Sequence, residues 1–192
     1  MHRGCGWAIL SGSWHRLFPR ADGDSLKPAV TVIVPAYNSS DTIEACLSSI
    51  SGQLTEGDQL LVVDDGSTDA TAPNAESLGA EVISTGGRKG PAAARNLGAE
   101  AADTPVLLFL DSDVTVPENL LEEIRGEFGG DGDVQAVQTI YTPVCPAEDP
   151  VSRYQNLYYH YALARIDPED SAVTATWCTW TTESVARKYP VK

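Results

Sequence analysis

A chain of 192 residues is long enough for one α/β domain with its own hydrophobic core. Its formal net charge is −14, from 27 acidic and 13 basic residues, which argues against non-specific nucleic-acid binding because such binding needs basic patches. No apolar run approaches the roughly 18 residues of a membrane span, and the four cysteines include no C-x-x-C pair, so reduced thiols in a cytoplasmic protein are expected.

From the N-terminus, residues 1–27 are expected to form an unstructured leader. Strands and helices then alternate at intervals of roughly 25 residues. The predicted strands are short β-rich runs at residues 29–34, 59–65, 81–85 and 105–110. The predicted helices between them are residues 39–53, 68–80 and 90–102. This alternation indicates βαβ units and a mostly parallel sheet.

Local signals refine the three helices. Ser40 or Asp41 can cap the first, Pro73 interrupts the second, and Pro91 fits the first turn of the third. Further along, the sequence predicts a helix at 117–128, a strand near the sheet edge at 134–141, a helix at 150–166 and a β-type run at 171–182. The helix at 150–166 carries four tyrosines whose spacing predicts a packed aromatic face: Tyr154, Tyr158, Tyr159 and Tyr161.

Polar sequence follows each of the four predicted parallel strands. The strand ends read PAYN (35–38), DDGSTD (64–69), TGGRKG (85–90) and DSD (111–113). Ligands of open parallel sheets bind at the carboxyl ends of the strands, so these stretches are expected to line one site. Within it, Asp111 and Asp113 stand one residue apart, and two close carboxylates repel each other unless a cation, a proton or water lies between them.

Several ligand-binding motifs can be compared with these strand ends. The G-x-G-x-x-G of dinucleotide-binding proteins is absent after the first strand, and so is a P-loop. The stretch DSDVT (111–115) matches the D-x-D-x-T of a phosphatase family, in which the first aspartate is the nucleophile and the second a general acid. That motif normally lies on the first strand and needs a later lysine, whereas only Lys188 and Lys192 follow it here.

Four stretches carry a more specific resemblance: VTVIVPAYNSSDTIEACLSSI, LLVVDDGSTDAT, GPAAARNLGAEAA and VLLFLDSDVTVPENLLEE. In this order they resemble the first strand and helix, the second-strand motif, the helix after the third strand and the D-x-D strand of the family 2 glycosyltransferases. The resemblance covers residues 29–190. It implies a GT-A fold over residues 28–192, with a Rossmann-like, mostly parallel sheet flanked by helices, and with the C-terminal part of the family domain incomplete.

The resemblance also implies roles for individual residues. Ten positions are expected to bind a nucleotide-sugar donor: Pro35, Ala36, Tyr37, Asn38, Asp65, Gly90, Arg95, Asp111, Ser112 and Asp113. The first three would line the base and ribose, and Asp65 would accept a hydrogen bond from a base, expected to be uracil. Arg95 would face the nucleotide or its phosphates. Asp113 would bind a divalent cation directly, and Asp111 would contact the ribose or the cation's hydration shell.

The chemistry of glycosyl transfer agrees with an acidic strand end. A nucleoside diphosphate leaving group gains negative charge, and Mn²⁺ or Mg²⁺ held by one or two carboxylates can stabilise it. Structural alternatives remain at several positions. Asp64 is expected to organise a turn, and Asn38 either caps backbone or contacts ligand. Arg88 and Lys89 either cover the phosphates or form a solvated charge pair.

The expected activity is metal-dependent, inverting transfer of a sugar from a nucleotide-diphosphate donor to a carbohydrate or lipid-linked acceptor. It would take place in the cytoplasm, free or peripheral to the inner face of the membrane. The general base is unknown; it is expected beyond Lys192, with Glu183 a weak candidate inside the chain. The alternatives are a nucleotide-sugar-binding module without turnover and, less favoured, a D-x-D-x-T phosphatase.

Overall fold

One mixed sheet organises the computed structural model, which describes residues 7–10, 27–129, 136–141, 149–163 and 178–181. The strands are β1 (Trp7–Leu10), β2 (Val30–Ala36), β3 (Gln59–Asp64), β4 (Glu81–Ser84), β5 (Val106–Phe109), β6 (Ala136–Tyr141) and β7 (Cys178–Thr181). The helices are α1 (Ile43–Ser51), α2 (Thr71–Ser77), α3 (Pro91–Ala101), α4 (Leu120–Gly129) and α5 (Pro150–Leu163). Across the described residues the strand order is β1-β6-β7-β5-β2-β3-β4.

The parallel half of the sheet comprises β5, β2, β3 and β4, as the alternation of strands and helices predicts. Apolar residues fill these strands because helices cover both faces of the sheet. Backbone hydrogen bonds continue the pairing beyond the strand ends. Asp65 N–H donates to Ala36 O at 2.8 Å, and Thr85 N–H donates to Asp64 O at 3.1 Å. The polar stretches that follow the strands therefore start at one edge of the sheet.

The antiparallel half adds three strands beside β5. β7 pairs with β5 and with β6, and β6 pairs with β1. β1 lies inside residues 1–27, where no regular structure is expected from the sequence; its short apolar run forms a strand by pairing with β6. β6, predicted near the sheet edge, lies one strand inside it because β1 occupies the edge.

Two apolar clusters pack on opposite faces of the parallel strands. On one face α1 and α4 pack against β2, and on the other face α3 packs against β2 and β3. Gly98 lets α3 lie close to the sheet, since a Cβ there would overlap Ile33 Cγ2 and lie 3.1 Å from Val63 Cγ2. Helix α3 consequently has a fixed distance from the strands whose ends it reaches.

Three local expectations from the sequence are wrong. Neither Ser40 nor Asp41 caps α1: its N-cap is Thr42, which makes no side-chain capping hydrogen bond, and the Ser39 carbonyl accepts the first N–H groups instead. Pro73 does not interrupt α2, because it lies in the first turn, where a missing N–H costs nothing. The tyrosines of α5 are not packed; the exposed fraction of Tyr154 is 70% and that of Tyr158 is 56%.

Other local expectations are confirmed. Pro91 occupies the first turn of α3. Cys46, on the inner side of α1, is a buried free thiol, and burial raises its pKa to about 12. None of the helices in the described ranges is long and apolar enough to cross a membrane.

Candidate functional site

The four polar strand ends meet at the carboxyl edge of the parallel sheet. Asn38, after β2, accepts a hydrogen bond from Thr68 N–H at 2.9 Å, which joins the ends of β2 and β3. Arg95 of α3 reaches the end of β5, where its Nη2 lies 2.7 Å from Asp111 Oδ1. The predicted site residues therefore come from separate βα units but occupy one region.

Asp65 is the most completely buried acid of this region, with an exposed fraction of 4%. Its Oδ1 accepts hydrogen bonds from the Thr85 hydroxyl and from Lys89 N–H, both at 2.8 Å, and its Oδ2 accepts one from Gly90 N–H at 2.7 Å. Burial alone would raise the pKa of Asp65, but these hydrogen bonds, with the charge of Arg88, lower it below its ordinary value. Asp65 is thus an ionised anchor for the loop between β4 and α3.

The anchored loop (residues 85–90) has an unusual backbone. Gly86, Gly87 and Gly90 all have positive φ, at 77°, 135° and 94°, which side chains with a Cβ rarely adopt. Within this loop the Arg88 guanidinium lies over the ring of Tyr37, with its central carbon 4.4 Å from the ring centroid. Arg88 is therefore neither half of a purely solvated pair nor free of the site, and its loop leans towards the end of β2.

The carboxylate of Asp111 is paired but still unfavourably placed. Burial raises the pKa of Asp111, and the adjacent charge of Asp113 raises it further. The Arg95 guanidinium acts in the opposite direction without fully offsetting burial. Arg95 itself has a buried Nε for which the described residues provide no hydrogen-bond acceptor. This end of β5 thus retains negative charge that an added cation would stabilise.

The turn that carries Asp113 is held by α1. The Ser112 and Ser39 hydroxyls lie 2.8 Å apart, and Cys46 Sγ lies 3.4 Å from Asp111 O. Further along, Val116 N–H donates to Ser49 Oγ at 3.0 Å. These contacts leave the Asp113 side chain exposed, at the position where the resemblance expects a metal ligand.

Gln53 completes this support just beyond the end of α1. Its amide nitrogen donates to Pro117 O at 2.7 Å, and its amide oxygen accepts from Leu121 N–H at 3.1 Å. The supporting side chains were not predicted as site residues. A signal exists in the sequence, because polar or thiol side chains recur at positions 46, 49 and 53, on one stripe of the helix beside its apolar face.

The remaining acids of the β3 end have structural partners. Asp64 accepts a hydrogen bond from Ser67 N–H at 3.1 Å, so the expected turn is confirmed. Asp69 accepts hydrogen bonds from Ser40 N–H at 3.0 Å and from the Thr71 hydroxyl. Burial acts to raise the pKa of Asp69, but these hydrogen bonds outweigh it and lower the pKa to about 2. Both acids fix the loop rather than face open solvent.

The donor set at the end of β5 suits a hard cation. No cluster of three or more His, Cys, Asp or Glu side chains forms among the residues that the structure describes. Mg²⁺ typically takes one or two carboxylates and completes its shell with water and substrate phosphates. The exposed carboxylate of Asp113, with the second oxygen of Asp111, is compatible with this pattern. Glu183 and the chain beyond it lie outside the described residues.

Comparison with known proteins assigns this arrangement to a family. The family model for glycosyl transferase family 2 matches residues 31–189, which includes all four strand ends. The chain belongs to glycosyl transferase family 2. The DSDVT stretch is therefore part of a family 2 domain and not the start of a D-x-D-x-T phosphatase. The GT-A fold predicted from the sequence is confirmed, since the parallel sheet with its flanking helices matches solved glycosyltransferase structures.

Individual relatives come from several enzymes of the family. The pre-mycofactocin glycosyltransferase of Mycobacterium tuberculosis is 35% identical over 144 residues, which is 73% of this chain and 29% of that protein. The glucosyl-3-phosphoglycerate synthase of M. tuberculosis in complex with UDP is 26% identical, with a TM-score of 0.61 over 89% of this chain and 64% of that one.

A second structure of the same synthase contains Mn²⁺, UDP and glucosyl-3-phosphoglycerate. It is 26% identical to this chain, has a TM-score of 0.57, and is matched over 81% of this chain and 57% of that one. The chain thus spans less than two thirds of each of these relatives.

Proposed function

We propose that this chain provides the donor site of an inverting glycosyltransferase that uses a UDP-sugar with Mn²⁺ or Mg²⁺. The observation that carries the proposal is the end of β5, where Asp111 pairs with Arg95 and Asp113 stays exposed beside the anchored loop of Asp65. The UDP and Mn²⁺ in the related synthase support the choice of ligand.

Base recognition is assigned to Tyr37 and Asp65. The ring of Tyr37 is 38% exposed, and nucleobases stack on such aromatic surfaces. A carboxylate has about four lone-pair directions, and Asp65 already accepts three hydrogen bonds. One acceptor direction suits the single imide N–H of uracil, whereas the guanine edge presents two adjacent donors and would leave one unpaired. Uridine nucleotides should therefore bind best.

The diphosphate is assigned to the end of β5 and the anchored loop. Asp113 and Asp111 would hold the cation, which when bound would neutralise the charge that develops on the departing diphosphate. Arg95 keeps the Asp111 carboxylate oriented through their hydrogen bond of 2.7 Å. Arg88 and Lys89 add two positive charges on the loop between β4 and α3. We assign no general base; the acceptor is proposed to be a carbohydrate or a lipid-linked hydroxyl compound.

Calorimetric titration with UDP, GDP and ADP in the presence of Mn²⁺ tests the donor assignment. UDP is expected to bind most tightly, and equal affinities or no binding would contradict the proposal. Asp103→Asn is a matched control for changes at the site, because Asp103 is an exposed aspartate before β5, at the opposite edge of the sheet. Release of UDP from a panel of UDP-sugars then separates a transferase from a module that only binds.

A further inference from the structure

The aromatic surface assigned to the base already has a partner in this chain. Arg88 lies over the Tyr37 ring, 4.4 Å from its centroid. A base that stacks on the face contacted by Arg88 and the guanidinium itself cannot occupy that face together. Building on the proposed function, we propose that Arg88 determines specificity: it competes with the base for Tyr37 and gives up the ring only in exchange for the donor's diphosphate.

The loop geometry allows such an exchange without moving its backbone. Hydrogen bonds from Lys89 N–H and Gly90 N–H to Asp65, with those of Thr85, fix the loop on both sides of Arg88. On its inner side the Arg88 backbone nitrogen packs closely enough that a Cβ at Gly66 would lie 3.0 Å from it. The anchored backbone leaves a long, exposed side chain whose guanidinium can change partners by rotation alone.

The two partners of Arg88 differ greatly in strength. A cation–π contact at an exposed site is weak, whereas guanidinium–phosphate hydrogen bonds are charge-assisted and often bidentate. A nucleoside offers no phosphate, so it must displace Arg88 without compensation. A nucleoside diphosphate supplies the stronger partner as it takes the ring. Arg88 would thus favour diphosphate-bearing donors over free nucleosides, which share the same base.

The test compares uridine and UDP on the same variants of the full chain. Arg88→Ala should raise the affinity for uridine by about two- to five-fold, the size of an exposed cation–π contact. The same change should lower the affinity for UDP with Mn²⁺ by about three-fold or more, since charge-assisted hydrogen bonds are lost. Uridine is neutral, so the lost charge of Arg88 does not by itself alter its binding. NMR titration measures uridine, and calorimetry measures UDP.

Two controls make the result specific. Lys89→Ala removes the neighbouring charge of the same loop and should weaken UDP while leaving uridine unchanged. In a Tyr37→Ala background, Arg88→Ala should no longer improve uridine binding, because the contested surface is gone. Urea unfolding of Arg88→Ala should match the wild type, as expected for an exposed side chain.

The failures are distinguishable. If the wild-type chain binds UDP but Arg88→Ala leaves uridine binding unchanged or weaker, the competition is refuted and the proposed function stands. A weaker affinity for uridine would mean that Arg88 stacks on the base instead of excluding it. If the wild-type chain binds neither uridine nor UDP, both the proposed function and the inference are overturned.

Discussion

Replacing Asp65 by asparagine tests whether this residue anchors the loop between β4 and α3. Asparagine keeps the shape but has one acceptor oxygen and one donor nitrogen. Its better orientation places the oxygen where Oδ1 accepts from Thr85 and Lys89, which brings the amide nitrogen against Gly90 N–H at the former Oδ2 position. Two donors then face each other at a buried site, and Gly90 N–H loses its acceptor.

The magnitude follows from that single loss. A hydrogen bond to a charged group contributes about 1.5–3 kcal/mol, so the free energy of unfolding should fall by about this amount. Urea denaturation of wild type and Asp65→Asn measures the change. Thr85→Val is the matched comparison, because it removes one hydrogen bond to the same carboxylate and leaves the charge and both backbone donors in place. Its effect should be smaller.

Nucleotide binding separates anchoring from base recognition. If Asp65 also reads uracil, Asp65→Asn should reduce the preference for UDP over GDP, whereas Thr85→Val should lower affinity without changing the preference. Unfolding curves and amide exchange of residues 85–90 that are the same in Asp65→Asn and wild type would refute the anchoring role. A lost preference together with unchanged stability would leave base recognition as the only role of Asp65.

Three further changes have defined outcomes. Asp113→Asn should weaken UDP binding by at least about 10–100-fold with Mn²⁺, the range for loss of an outer-shell partner, and have little effect with chelator; an unchanged affinity in Mn²⁺ would reduce Asp113 to a turn residue. Gly98→Ala should lower the free energy of unfolding by about 1–2 kcal/mol, as overpacking exceeds the gain in helix propensity; Gly126→Ala, with no atom near the added Cβ, should not. The pKa of Asp69 is lowered to about 2, so its contribution is complete above the unfolded value and is lost as pH falls from about 4 towards 2; Asp69→Asn should flatten that part of the stability–pH curve.

The parallel sheet could be predicted because its information is local. Each of its strands is a short apolar run that ends in a polar turn, and each helix between them shows its own periodicity. β1 could not be predicted from residues 7–10 alone, because a four-residue apolar run becomes a strand only when a distant partner, β6, pairs with it. The exposed tyrosines of α5 failed for a related reason: aromatic spacing on a helix says that a face exists, not what packs on it.

The identities of the site residues were accessible from the sequence, but their partners were not. The motif around Asp65 suggests a ligand contact, while its three hydrogen-bond donors come from positions 85, 89 and 90, which the sequence does not link to it. The Ser39–Ser112 contact likewise joins residues 73 positions apart. Such pairings depend on where the sheet register places each loop, and that register is set by strand packing rather than by the loop residues themselves.

The charge at the end of β5 shows why partners matter more than motifs. A D-x-D pair read alone suggests two equivalent carboxylates for a cation. In the fold they differ: one oxygen of Asp111 is held by Arg95, and Asp111 remains buried enough for its pKa to be raised, whereas Asp113 is exposed. A cation arriving with a diphosphate would meet one free carboxylate and one that is already oriented. This asymmetry makes Asp113 the expected direct ligand and Asp111 the residue whose remaining oxygen is available to the sugar or the cation.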